Sequence, residues 1–238
     1  MRPSVLVPGL AAAAAGTAFL GVRIGNPWLL PVLNAAPACA VMLRLLVSGR
    51  RAAAFLSMLW WAACLGGSMT VICAVDPWGT ATAAVHNGSP YFQEMRAWVE
   101  TGAGCESSPA CFVPAHLRHA ALFAALALAT AGLAALVMGA ALLNYMAYFV
   151  GSLTAAAVAP VAVVAAAWFP WSLVRIVSFI ALGTVLAEPL VFRLAGREAP
   201  PGRSRWIAAA LAGLVLDVAL KTWLAPGWPL LLRPLLHG

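Results

Sequence analysis

The chain alternates long apolar runs with short polar breaks, and the runs are apolar on every side. Rich in Ala, Leu and Val, they lack the alternation of outer-membrane strands, which switch between apolar and polar residues over about ten positions. The hydrocarbon core of a bilayer is about 30 Å thick and takes roughly 20 helical residues to cross. The pattern therefore predicts an all-α, polytopic membrane protein: a single transmembrane domain over 1–238, built as a bundle of seven helices. The expected spans are Val5–Val22, Pro27–Val47, Ala52–Val75, His119–Leu143, Gly151–Phe169, Leu173–Leu194 and Trp206–Leu224. The fourth and fifth come from one stretch, His119 to Phe169, that holds no charged residue. At 1.5 Å per residue it would be about 76 Å long as one helix, right for two crossings. Asn144–Ser152, with Gly151, is the expected turn. Met1 to Val22 has some features of a signal peptide, but no polar mature region follows, so it reads as a retained first span.

The polar breaks orient the bundle. Arg50 and Arg51 lie between the second and third spans, and Arg193, Arg197, Arg203 and Arg205 between the sixth and seventh. Loops that stay in the cytoplasm keep an excess of Lys and Arg. Both clusters fall inside if the N-terminus is cytoplasmic and the C-terminus extracytoplasmic, with the 76–118 loop outside. Trp28, Trp78, Trp168, Trp171, Trp206 and Trp223 fall near span ends, as an aromatic belt would. Trp60 and Trp61 lie deeper and read as packing residues. Within the loop, Ser89-Pro90 is a helix start and Gly102 a stop. Between them Tyr91, Phe92, Met95, Trp98 and Val99 share one helical face, which predicts a short amphipathic helix on the membrane or capping the bundle. Arg96 and Glu100 are spaced to pair along it.

Composition agrees. Hydrophobic residues make up 63% of the 238 positions and charged residues 9%, against about 25% charged in a soluble domain. The formal charge of +7 comes from flanking arginines. No basic stripe is interleaved with aromatics, so the lipid bilayer, and not nucleic acid, is the expected partner, with a membrane protein or a second copy as a further one. Arginine bias and alanine richness fit a bacterial inner membrane. Cys39, Cys64 and Cys73 lie in spans and read as small buried hydrophobes. Cys105 and Cys111 share the outside loop, where a disulfide is expected.

Three residue groups could carry chemistry. Glu94, His116 and His119, with His86 or Glu100 nearby, offer two imidazoles and a carboxylate, a sufficient first shell for a divalent metal such as zinc. Asp217, Lys221, Glu188 and Arg44 are ionisable groups inside spans, joined there by the polar Asn34 and Asn144. A charge at the bilayer centre costs at least about 2.5–3.5 kcal/mol and must find a partner or a water-filled cavity. Asp217–Lys221 and Arg44–Glu188 are the expected pairs. Finally, Pro31 and Pro37 interrupt the second span, Pro160 the fifth and Pro189 the sixth. Matched interruptions in oppositely running halves point to a transporter site.

These groups support three functional readings. The first is a small-solute or ion carrier or channel component, with Asp217, Glu188 and Asn34 along the path. The second is a metal-dependent membrane enzyme using Glu94, His116 and His119. The third is a non-catalytic subunit of a larger membrane complex. No nucleotide-binding loop, hydrolase elbow, zinc-protease helix or intramembrane-protease motif is present.

Overall fold

The computed structural model describes residues 3–76 and 79–237, so Trp78 lies outside the described residues. Seven helices are long and apolar enough to cross a membrane. They are α1 (Pro3–Ile24), α2 (Leu29–Val47), α3 (Arg51–Val75), α6 (Pro109–Ala129), α7 (Leu133–Ala155), α9 (Pro170–Leu194) and α10 (Arg203–Leu224). Four shorter α-helices lie among the described residues: α4 (Thr80–Ala84), α5 (Gly88–Thr101), α8 (Pro160–Ala167) and α11 (Pro229–His237). No strand occurs among the described residues. The protein is a polytopic helical bundle, as its hydrophobic pattern predicts.

The fourth and fifth spans differ from expectation. The fourth starts at Pro109, ten residues before His119, and the turn lies at Thr130–Gly132, not at Asn144–Ser152. Ala131 and Gly132 both take positive φ, 52° and 84°. The Thr130 side chain accepts a hydrogen bond from the Ala134 amide (2.9 Å), and the Gly132 amide closes the end of α6 on the Ala127 carbonyl (2.9 Å). These are small residues in an uncharged run, so the hydrophobic pattern carries no mark of the break. Gly151 instead sits inside α7, one turn before its end, where α7 lies against α3. A Cβ on it would stand 2.5 Å from the Thr70 carbonyl oxygen and 2.9 Å from the Ala74 nitrogen. That glycine permits backbone contact between helices.

Pro160 is also reassigned. It opens the short helix α8, whereas the fifth span, α7, contains no proline. The matched interruption of the second and fifth spans is therefore absent, and Pro37 remains within α2.

The number of crossings survives these shifts, so both arginine clusters share one end of the bundle. Arg51 donates to the carbonyls of Pro200 and Pro201, each at 2.9 Å, and Arg197 donates to the Val47 carbonyl (2.6 Å). The opposite end is covered by short helices. Phe92, Met95, Trp98 and Val99 are buried beneath α5, which packs on α7 and α11. Its outer face carries the Arg96–Glu100 pair at 2.6 Å, and Gly102 ends it in the left-handed conformation. Phe169 stacks on Trp171, and Trp228 meets Trp171 edge-on. Arg233 of α11 donates to the Val99 carbonyl (2.7 Å). Trp61 is buried and donates to the Asn34 carbonyl (3.0 Å), whereas Trp60 is exposed and ties α3 to the Val7 carbonyl.

Gly151→Ala should cost about 1–3 kcal/mol, because the new methyl meets backbone that cannot turn aside. Gly139, on the same helix, offers its methyl only the Phe123 ring at 3.8 Å, and Gly139→Ala should change stability by no more than about 0.5 kcal/mol. Thermal unfolding of the two variants in detergent compares them.

Candidate functional site

Every buried charge in the bundle has an opposite charge beside it. Glu188 is fully buried on α9 and receives both arms of the Arg51 guanidinium, Nε to Oε1 at 2.6 Å and Nη2 to Oε2 at 2.7 Å. Arg203 approaches the same carboxylate at 3.9 Å. Arg51 stands in the first turn of α3, so the link joins α3, α9 and the segment leading into α10. Arg44, the expected partner of Glu188, is instead exposed in the last turn of α2. There a cation suits the negative end of the helix dipole.

Asp217 and Lys221 are one turn apart on α10, yet neither takes the other as partner. Arg175 of α9 grips Asp217 with Nε to Oδ2 at 2.8 Å and Nη2 to Oδ1 at 2.9 Å. Lys221 Nζ lies 2.7 Å from Glu106 and 4.6 Å from the centre of the Phe112 ring. Glu106 comes from a 3-10 turn, Cys105–Ser107, and the Cys105–Cys111 disulfide fastens that turn to the start of α6. The expected pairs Asp217–Lys221 and Arg44–Glu188 are thus corrected to Asp217–Arg175, Lys221–Glu106 and Glu188–Arg51. A bidentate guanidinium outcompetes a single ammonium for a buried carboxylate because it satisfies both oxygens.

Two of these pairs stand on the wall of a cavity of about 730 Å³ between α6, α7, α9 and α10, with α3 behind. Its end nearest the short helices carries Glu94, Glu106, His116, His119, Arg175, Asp217 and Lys221, together with Tyr91 and Tyr145. Burial pushes the Tyr91 phenol up, and the Glu106 carboxylate adds to the effect. Tyr91 therefore stays a neutral hydroxyl. The rest of the wall is almost wholly apolar and runs to Met42, Gly132 and Thr184 near the arginine end. Along α9, Phe169 to Thr184 makes the cavity about 22 Å deep.

Asp217, Lys221, Glu94, His116 and His119 all line this space; Arg44, Glu188, Asn34 and Asn144 do not. Asn34 and Asn144 bond to each other (3.2 Å) between α2 and α7. His116 Nδ1 lies 3.6 Å from Asp217. Among the described residues no group of three or more His, Cys, Asp or Glu side chains could hold a metal ion, so Glu94, His116 and His119 do not form a first shell. His86 lies against Trp28, and Glu100 is paired with Arg96. Arg175 and Glu106 were not among the residues the sequence singled out. Arg175 sits about 8 Å from one end of α9 and Asp217 about 10 Å from the matching end of α10. Equal depth was the signal that could have joined them. Glu106 gives no such signal, because a disulfide carries it to Lys221.

Neither family models, characterised proteins nor solved structures yield a match to this chain.

Removing one partner of a buried ion pair leaves an uncompensated charge, at a cost of about 3–5 kcal/mol, whereas apolar replacement of both is often neutral or better. Glu188→Met and Arg51→Met should each lower stability in detergent by that amount. The Arg51→Met/Glu188→Met double variant should recover most of the loss, as denaturation of the four proteins would show.

Proposed function

We propose that the protein is a carrier whose substrate occupies the cavity between α6, α7, α9 and α10, beside the Arg175–Asp217 and Lys221–Glu106 pairs. The observation that carries this reading is the relation of the cavity to the Glu188 link. The wall ends at Thr184, and Glu188 follows one turn later on α9, about 6 Å further on. A buried ion pair with two proline carbonyls behind it thus closes the arginine end just below the cavity floor. A cavity closed at one end by a breakable polar latch is what alternating access requires of one of its states. By the positive-inside rule the latched end faces the cytoplasm.

Paired charges on the wall also suit a carrier. They meet a polar solute with preset dipoles, yet carry little net charge that would trap it. The metal-enzyme reading has less behind it, because Glu94, His116 and His119 share the cavity wall without forming a metal-holding group among the described residues.

Cysteine labelling tests this. Ile180→Cys places a thiol on the cavity wall, in a background with Cys39, Cys64 and Cys73 replaced by Ala and the disulfide kept. A small, charged, membrane-impermeant thiosulfonate should modify it in right-side-out and in inverted vesicles alike. Modification from one side only would mean a blind pocket and would end the carrier reading.

A further inference from the structure

The cavity has a second boundary that the ion pairs do not close. Leu117 of α6 is 66% exposed, and Leu211 and Val215 of α10 are 50% and 70% exposed, although all three also line the cavity. Both helices pack along α9 but make little contact with each other. The cavity therefore opens sideways between α6 and α10. Leu117 lies about 12 Å from the start of α6, and Val215 about 14 Å from the end of α10. Leu211 lies deeper, about 20 Å from the end of α10, so the inner part of the mouth faces acyl chains, while the exposed Arg118 beside Leu117 sets its outer rim at the polar boundary.

Size and charge narrow what could enter. The cavity is within the range of small-molecule sites, about 300–1,000 Å³. Its length of about 22 Å exceeds the roughly 15 Å of one hydrocarbon leaflet by the span of a polar head. The apolar part fits one chain, and the charged end fits the head. That end holds Glu94, Glu106 and Asp217 against Arg175 and Lys221. A purely anionic head would find both cations already held by carboxylates, and a purely cationic head would meet those same cations. A head with both signs fits each. Asp217 engages only Nε and Nη2 of Arg175, so Nη1 can donate to a phosphate oxygen. Glu94 forms no ion pair among the described residues and can receive an ammonium.

We infer that the substrate is a zwitterionic, lipid-like amphiphile that enters sideways from the bilayer between α6 and α10. Its chain lies along α7 and α9, its phosphate meets Arg175 and its ammonium meets Glu94. This rests on the cavity being the substrate site of a carrier, but it has its own readout.

Native mass spectrometry of the detergent-purified protein tests it with three single-chain probes of equal chain length: lysophosphatidylethanolamine, lysophosphatidylglycerol and an alkyltrimethylammonium. The zwitterion should be retained one to one, with about tenfold preference over either singly charged probe, the scale of one charged hydrogen bond. Glu94→Gln, at an exposed position of α5 on the cavity rim, should abolish the preference over lysophosphatidylglycerol. Gly139→Leu fills the cavity from α7, where a Cβ meets only a ring edge at 3.8 Å, and should remove the adduct. Equal retention of all three probes, or an adduct unaffected by Gly139→Leu, would overturn the inference. Two-sided labelling of Ile180→Cys without zwitterion binding would overturn it while leaving a carrier of another solute. One-sided labelling with zwitterion binding would overturn the carrier alone.

Discussion

A charge inside a hydrocarbon layer must face an opposite charge or water, and the arrangement of this bundle depends on that constraint. Five ionised side chains, Arg51, Glu188, Arg175, Asp217 and Lys221, lie buried or half-buried within long helices. Two of the links join elements far apart in sequence, and the third joins consecutive helices. Arg51–Glu188 ties α3 to α9, Arg175–Asp217 ties α9 to α10, and Lys221–Glu106 ties α10 to the turn before α6. Apolar packing in lipid gives little preference for one helix neighbour over another, since lipid tails are as apolar as leucine. Directional pairs supply that preference here.

The consequence is an uneven bundle. α1, α2, α3 and α7 pack closely, helped by Gly151 at the α3–α7 contact. On the other side α6 and α10 lean on α9 and stay apart. The space they leave is apolar over most of its length and charged at one end. Its charged end is bordered by α5 and the Cys105–Ser107 turn, and its far end stops one helical turn short of the Glu188 link. Cavity, latch and sideways mouth thus follow from where three ion pairs hold the helices.

Much of this was legible in the sequence, and the limits have physical causes. Runs of about 20 apolar residues are forced by bilayer thickness, so seven helices could be counted. The five-residue stripe on α5 and the closely spaced Cys105 and Cys111 were equally direct. The turn at Thr130–Gly132 was hidden because threonine, alanine and glycine are also ordinary residues of membrane helices. Gly151 misled for the same reason: a glycine can mark a turn or a close helix contact. Asp217 and Glu188 stood out as charges that needed partners. Their partners were harder to name, because Arg51 and Arg175 lie near span ends, where long side chains reach water unaided; only equal depth on α9 and α10 marked Arg175 for Asp217.

The most direct test of this account is a charge reversal across α9 and α10, read as thermal stability in detergent. Arg175→Asp and Asp217→Arg should each destabilise the protein strongly, because each places two like charges together in a buried site. The Arg175→Asp/Asp217→Arg double variant should regain most of the loss. Single reversals that leave stability unchanged, or a double variant no better than the singles, would contradict the claim that this pair holds the helices around the cavity.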